Sequence, residues 1–325
     1  MTRLKLLLII ILAAACLLLV LYFARDKILF KKNGNDFAWT APDTNDIRSL
    51  PNAALVDYGR KLISNTAYYL GPKGIVAGTT NGMNCQNCHL DAGSRLWGNN
   101  YSAVAATYPK FRERSGAIEN IYKRVNDCIE RSLNGIALDT NSREMQSIAA
   151  YINWLGNKVP KNKKPEGVGI SDLAFLNRAA DTTKGQTVYL QKCQRCHGID
   201  GSGAFNSDGI SYLYPPLWGD HSYNTGAGLF RITRFAGFVK YNMPFGVSHS
   251  KPELTDEEAW DVAAFVNSQP RPEKKFPTDW PNIAAKPIDH PFGPYNDSFS
   301  ETQHKYGPWP VISSLKNKLT PGIKP

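Results

Sequence analysis

The sequence predicts a mainly α-helical protein of two domains in tandem, and three observations support this prediction. Its 325 residues are enough for two domains, each with its own hydrophobic core. A Cys-x-x-Cys-His pentapeptide occurs twice in the chain. Each copy is preceded and followed by a segment with helical periodicity, so residues 45–156 and 173–270 have the same order of elements.

The two pentapeptides, residues 85–89 and 193–197, have the spacing by which c-type haem is attached to a protein. The two thiols bond to the porphyrin, and the adjacent histidine ligates the iron. The residues that would serve are Cys85, Cys88, His89, Cys193, Cys196 and His197. A single copy could be a zinc half-site, but two copies in matching contexts favour haem. We therefore expect two class I cytochrome c domains, each around one covalently bound haem c.

The helices are predicted from periodicity and end signals. In the first domain we expect an N-terminal helix over residues 53–69 and a closing helix over residues 143–155. In the second domain, residues 184–190 begin the unit and residues 255–268 close it, opening with a capping-type Thr-Asp-Glu-Glu sequence. Both closing helices contain two alanines followed by an aromatic residue, which suits a close crossing against the N-terminal helix.

The N-terminal segment is predicted to be a membrane anchor. Residues 6–24 form an apolar run, close to the roughly 20 residues that span a bilayer. We expect residues 1–26 to stay as an anchor in the inner membrane, followed by a polar stalk over residues 27–44. A cleaved signal peptide and a lipid on Cys16 are the alternatives. Bacterial haem attachment takes place outside the inner membrane, so the remainder of the chain is expected in the periplasm.

Composition separates the domains from a linker and a tail. Residues 157–172 are rich in lysine and proline and are predicted to be an exposed linker, while residues 271–325 form a Pro-rich tail expected to pack on the domains. The net charge of +10 suggests an anionic substrate or partner, although a generally basic soluble surface explains much of it. No nucleic-acid-binding motif is visible, and we expect no nucleic-acid partner.

The sixth ligand of the first haem is predicted to be Cys128. Between His89 and the closing helix there is no histidine or methionine, and Cys128 lies on the apolar face of a helical pattern over residues 118–129. A buried inert thiol and a five-coordinate haem are the alternatives. A thiolate needs positive groups nearby. Arginines and a serine surround this position and form a candidate anion pocket: Arg112, Arg114, Arg124, Arg131 and Ser132.

The sixth ligand of the second haem is predicted to be Met243. It precedes Pro244 shortly before the closing helix, as expected for a methionine-ligand loop. His221 and His249 are rivals without that context. Because methionine raises a haem's potential, the first haem would be the low-potential centre where a substrate reacts and the second the electron exit.

Several motifs make the chain, from about residue 45 onward, resemble the thiosulfate dehydrogenase family of di-haem cytochromes. The motifs are residues 108–109, 114–116, 124–128, 130–135, 214–219, 223–228, 242–244 and 267–272. The resemblance implies His89/Cys128 ligation at an active-site haem and His197/Met243 ligation at an electron-transfer haem. Some family members have a lysine directly before the methionine as an alternative ligand, and this chain has Asn242 there.

The same resemblance implies an activity, which is the coupling of two thiosulfates into tetrathionate; the family also catalyses the reverse reaction. The resemblance also implies that Cys128 takes part covalently, with its sulfur carrying a thiosulfate-derived group. In the candidate anion pocket, Arg114, Arg124 and Ser132 would hold the dianions. Gln269 would add a polar contact. The electrons would pass to a periplasmic or membrane acceptor, for which another cytochrome c is expected. A di-haem electron carrier without substrate chemistry and another sulfur-oxidising cytochrome are the alternative functions.

Overall fold

The structure is a computed structural model that describes residues 38–319. The predicted anchor at residues 1–26, and the stalk before residue 38, lie outside this range. Within residues 38–319, no helix is long and apolar enough to cross a membrane.

The first domain is mainly helical, as predicted. Its helices are α1 (Ala53–Ser64), α2 (Thr66–Leu70), α3 (Leu90–Gly93), α4 (Val104–Thr107), α5 (Ile121–Arg131) and α6 (Arg143–Leu155), with 3-10 turns at Thr44–Ser49 and Cys85–Asn87. An antiparallel hairpin of β1 (Lys110–Arg112) and β2 (Ala117–Glu119) precedes α5. The closing helix has the predicted bounds. The first helix does not run to residue 69, because it breaks at Asn65, whose φ of −130° and ψ of 44° are not helical.

The second domain repeats this plan with fewer elements. Its helices are α7 (Thr182–Lys192), α8 (Gln194–His197), α9 (Ile232–Asn242) and α10 (Asp256–Ser268), with a 3-10 turn at Gly228–Phe230. A short hairpin pairs β3 (Ala204–Phe205) with β4 (Tyr212–Tyr214). The predicted cap of the closing helix is confirmed, since Thr255 and Glu258 form a reciprocal capping box at the start of α10.

In both domains the first and closing helices cross at a glycine. A Cβ atom on Gly59 in α1 would lie 1.9 Å from the carbonyl oxygen of Ser147 in α6, so only glycine fits there. Gly185 in α7 has the same 1.9 Å restriction against the carbonyl oxygen of Asp261 in α10. The close crossing predicted from the closing helices is confirmed, and its repetition shows that the two units share one architecture.

The two domains are joined by packing as well as by the linker. The main cluster of buried apolar side chains lies in the second domain and extends to Met83, Ile129 and Leu133 of the first. Asn224 contributes a polar contact, because its Nδ2 donates to the carbonyl oxygen of Glu130 at 2.8 Å at the end of α5. The second domain thus supports the helix that carries Cys128.

The segment after residue 270 lies against both domains. It contains a 3-10 turn at Ile283–Ala285 and the helices α11 (Glu301–Tyr306) and α12 (Trp309–Leu319). Trp309 is fully buried and packs on Trp260 of α10 with ring centroids 4.8 Å apart. On the first domain, Asp279 accepts two hydrogen bonds of 2.8 Å from the guanidinium of Arg131, which also lies 3.5 Å over the ring of Phe276.

Candidate active site and haem cavities

The first pentapeptide lines a cavity in the first domain. The predicted haem-attachment and axial residues of this domain all belong to its wall, as do Arg124 and Ser132. Its other wall residues are largely apolar. They come mainly from α1, α2, α5 and α6 and include Ile63, Leu70, Ile121, Val125, Ile129, Ile148 and Ile152. Met145, although fully buried on α6, does not line the cavity.

His89 is held by the chain segment that follows α3. Its Nδ1 is 2.5 Å from the carbonyl oxygen of Asn99, which fixes the ring and leaves Nε2 directed into the cavity. The ring of Tyr101 lies against the imidazole, with centroids 4.4 Å apart and planes inclined by 30°. The arrangement is typical of a metal-ligating histidine whose second nitrogen is bound by a backbone carbonyl.

Cys128 faces His89 across the cavity from the middle of α5. Arg124, one turn earlier on the same helix, donates from Nη1 to the Cys128 sulfur at 3.1 Å. Burial raises the pKa of the Cys128 thiol, but the charge of Arg124 and a hydrogen bond with His89 outweigh it and lower the pKa to about 6. The sulfur is therefore a thiolate at neutral pH, as both a metal ligand and a nucleophile require.

The other predicted anion-binding residues are divided between two places. Ser132 lies one turn after Cys128 and lines the same cavity. Arg114 lines a separate cavity of about 1640 Å³ walled mainly by residues 273–294 of the tail. Burial lowers the pKa of Arg114 to about 10, and its Nε has no hydrogen-bond partner in the part of the chain that the structure describes. Arg131 forms an ion pair with Asp279 and does not line the cavity that contains Cys128.

Gln269 lies apart from both haem cavities. It follows α10 as the C-cap residue, and its Nε2 donates to the carbonyl oxygen of Phe265 at 3.2 Å. Neither haem cavity includes it in its wall. The structure thus places Gln269 at the end of the closing helix of the second domain.

The second pentapeptide lines a larger cavity, whose wall includes Cys193, Cys196, His197 and Met243. The Nδ1 of His197 is 2.9 Å from the carbonyl oxygen of Pro215, which repeats the arrangement of His89. His221 and His249 do not line this cavity.

Lys240, the amine nearest to Met243 along the chain, is engaged elsewhere. It is 8% exposed, and its Nζ donates to the carbonyl oxygen of Leu254 and lies 2.8 Å from Asp256 Oδ1. Both contacts direct the ammonium group toward the start of α10, and Lys240 is not among the residues that line the cavity.

The two cavities are neighbours. Met83, Asn84 and Cys88 line both of them. Met83 is 3% exposed and belongs to the shared apolar cluster.

Both cavities fit a haem. Each combines a pair of cysteines for covalent attachment with a histidine whose Nδ1 is fixed by a carbonyl. Each also has a sulfur donor, from Cys128 or Met243, and an apolar wall that suits a porphyrin.

Comparison with known proteins agrees with this fit. A profile described as SoxA/TsdA, cytochrome c domain matches residues 76–160, and one described as Cytochrome c matches residues 182–270. A thiosulfate dehydrogenase from Psychrobacter arcticus is 38% identical over 242 residues, which are 74% of this chain and 71% of that protein. One from Allochromatium vinosum is 39% identical over 236 residues, 70% of this chain and 84% of that protein.

The chain belongs to the thiosulfate dehydrogenase family. Among solved structures, it is similar to the thiosulfate dehydrogenase TsdBA from Marichromatium purpuratum in its as-isolated form, with a TM-score of 0.66 and 30% identity. That match covers 72% of this chain and 50% of the other, so the chain spans half the length of that relative. As a thiosulfate dehydrogenase family member the protein is an enzyme, and its two cytochrome c domains each carry one covalently bound haem c.

Some residues at these sites escape sequence reasoning. Tyr101 and the carbonyl group of Asn99 contact His89, and neither residue belongs to a motif. Pro215, whose carbonyl group contacts His197, lies in the motif at residues 214–219, but the motif does not show that contact. Asp279 pairs with Arg131 across 148 positions of the chain, so no local spacing could reveal the pair. The motif predicts the ligands, whereas the groups that orient them come from the tertiary fold.

Proposed function

We propose that this protein oxidises two thiosulfate ions to tetrathionate beside Cys128 and passes the two electrons out through the second domain. The observation that carries the proposal is the 3.1 Å contact between Arg124 and the Cys128 sulfur, in the wall of the cavity that also contains His89. In this proposal His89 and Cys128 are the axial ligands of the first haem, and His197 and Met243 those of the second.

The reaction joins two anions that repel each other. Two thiosulfate dianions lose one electron each, an S–S bond forms between their terminal sulfurs, and no proton is transferred. Two unit charges 4 Å apart repel by about 4 kcal/mol at an effective dielectric constant near 20, and each dianion carries two charges. Fixed positive charge beside the reacting sulfur is therefore the main requirement for the site.

Arg124 supplies that charge where it is needed. Its guanidinium touches the Cys128 sulfur, so a thiosulfate that approaches the sulfur meets the same positive group. Ser132 offers a hydroxyl from the next turn of α5 in the same wall. Arg114, in the separate cavity beside the tail, would draw further dianions toward this part of the molecule. Cys128 would carry the first thiosulfate as Cys–S–S–SO3⁻, formed from the thiolate with the loss of two electrons to the haems, and attack by the second thiosulfate would release tetrathionate and restore the thiolate.

The haems would each accept one electron, and residues of this chain lie in the walls of both haem cavities. Met83 and Cys88 form part of the wall shared by the two cavities. Ligation by Met243 favours the reduced state of the second haem, relative to a haem ligated by a thiolate. Electron transfer from the first haem to the second is therefore energetically favourable.

We further propose that the enzyme works in the periplasm, held by residues 1–26, and delivers electrons to another cytochrome c. The second cavity has Leu213 and Phe245 in its wall, and these side chains are 56% and 85% exposed, which gives an acceptor access to that side. Mass spectrometry of the mature protein tests the anchor, because an N-terminus near residue 27 or a diacylated Cys16 would contradict it.

Protein-film voltammetry of the di-haem protein tests the activity and its direction together. Thiosulfate should give a catalytic oxidation current and tetrathionate a reduction current at lower potential. A film that shows both haem signals but no current with either ion would contradict the proposed reaction. A reduction current alone would contradict the proposed direction.

A further inference from the structure

Residues Trp97–Asn99, here called the 97–99 strap, connect the two haem sites through their backbone carbonyls. The carbonyl oxygen of Asn99 binds His89 Nδ1 at 2.5 Å, and that of Gly98 accepts from the amide of Leu90 at 3.0 Å. The carbonyl oxygen of Trp97 accepts from Asn242 Nδ2 at 3.1 Å. One end of the strap thus holds a proposed ligand of the first haem. The other end is held by the residue that precedes the proposed methionine ligand of the second.

The strap has a conformation that its surroundings enforce. Trp97 and Asn99 have φ values of 62° and 59°, a region that a bulky residue such as tryptophan rarely adopts. Their amides donate to the carbonyl oxygens of Gly167 and Gly169 in the linker, at 2.7 and 2.9 Å. Because these hydrogen bonds fix both ends of the strap, we expect a displacement at Trp97 to reach Asn99.

The second domain holds Trp97 in two ways. The Trp97 ring stacks on His249 with centroids 4.0 Å apart and planes inclined by 12°, and His249 lies in turn against Tyr241 at 4.4 Å. Asn242, 3% exposed, donates from Nδ2 to Trp97 and to the carbonyl oxygen of Phe238 at 3.0 Å. An amide nitrogen has two N–H groups, so one side chain can serve both carbonyls.

We propose that Asn242 is a positioning residue that couples the two haem sites, because its hydrogen bond to Trp97 holds the strap that orients His89. The proposal rests on the haem ligation proposed above, not on the substrate. The Nδ1–H···O=C bond of a ligand histidine makes the imidazole a stronger electron donor and so stabilises the oxidised metal. A looser strap weakens this bond, and the potential of the first haem should rise although the altered residue lies in the second domain.

The test is the reduction potential of each haem in the di-haem Asn242→Leu variant. Leucine has a similar size but cannot donate to Trp97. We expect the oxidised-to-reduced ratio of the first haem, at a fixed potential, to fall about tenfold, which is a rise of about 59 mV for a one-electron couple. The first haem is identified as the one whose spectrum changes in Cys128→Gly, since Cys128 lines only the cavity of the first domain.

Two further variants make the test specific. Phe245→Ala alters an 85% exposed side chain of the same methionine loop and should leave the first haem unchanged. His249→Ala removes the stacking on Trp97 but keeps Asn242, and should raise the potential of the first haem by a smaller amount.

The outcomes separate coupling from a purely local effect. A shift of the second haem alone in Asn242→Leu, or no shift of either haem, would overturn the proposal. If that variant does not fold, His249→Ala decides: a raised potential of the first haem supports the coupling, and an unchanged one overturns it. Tetrathionate formation by the wild-type protein is measured separately, so failure of the proposed reaction cannot be mistaken for failure of the coupling.

Discussion

Replacement of Arg124 by glutamine tests the electrostatic basis of the proposed reaction. Arg124 donates to the Cys128 sulfur at 3.1 Å, and its charge is the strongest of the influences that favour the thiolate. Glutamine keeps a polar side chain in the wall of the cavity but removes the charge. The thiosulfate that approaches Cys128 would therefore lose its closest positive partner.

The size of the effect follows from the contact that is lost. A hydrogen bond to a charged group contributes about 1.5–3 kcal/mol, so kcat/KM for thiosulfate should fall roughly 10- to 150-fold. Because the positive charge also opposes oxidation of the nearby iron, the potential of the first haem should fall. Both effects have one cause and should appear together.

The assay is steady-state thiosulfate oxidation with an excess of electron acceptor, after mass spectrometry has confirmed two attached haems. Arg143→Gln is the matched control, because Arg143 is exposed at the start of α6 and lies 4.8 Å over the ring of Tyr58. A fully loaded Arg124→Gln variant with wild-type kcat/KM would refute the reasoning. Loss of haem from the variant would instead assign Arg124 a structural role.

Three other expectations concern the packing of the protein and the ligand of the second haem. Asp279→Asn should lower the free energy of unfolding by about 1.5–3 kcal/mol in denaturant titration, because one of two charge-assisted bonds to the buried Arg131 is lost; an unchanged midpoint would show that the pair contributes nothing. Gly59→Ala should lower the melting temperature strongly, since the new Cβ would lie 1.9 Å from a carbonyl oxygen, whereas Gly228→Ala enters open space and should not. The second haem should keep Met243 in both oxidation states, seen as a far-red absorption of the oxidised protein, and absence of that band would show another ligand.

The parts of the fold that the sequence predicts are those with a local signature. The pentapeptides identify the haem-attachment residues, and the closing helices follow from periodicity and from the cap at Thr255. Cys128 lies on α5 with its sulfur inward, as helical spacing predicts, and Arg124 one turn away is its partner. These relationships lie within one helix or one motif, so periodicity is sufficient to find them.

The parts that sequence reasoning does not reach depend on the tertiary structure. The spacing of the arginines in the sequence does not show that they lie in different places. Arg114 lines the cavity beside the tail, whereas Arg124 contacts Cys128. Only the family resemblance suggests a substrate contact for Gln269, which is the C-cap residue of α10 in the structure. The 97–99 strap makes its contacts through backbone carbonyl groups. Every residue has such a group, so the residue types at these positions do not predict the contacts.

The Cys128→Gly variant of the di-haem protein tests the central claim most directly. Both haems should remain attached, since their attachment uses other cysteines, while the spectrum of the first haem changes and tetrathionate formation from thiosulfate is lost. The matching measurement is the rate of tetrathionate formation in wild-type and variant protein of equal haem content. A variant that forms tetrathionate at the wild-type rate would contradict the proposed role of Cys128, and an unchanged spectrum would contradict its ligation of the iron.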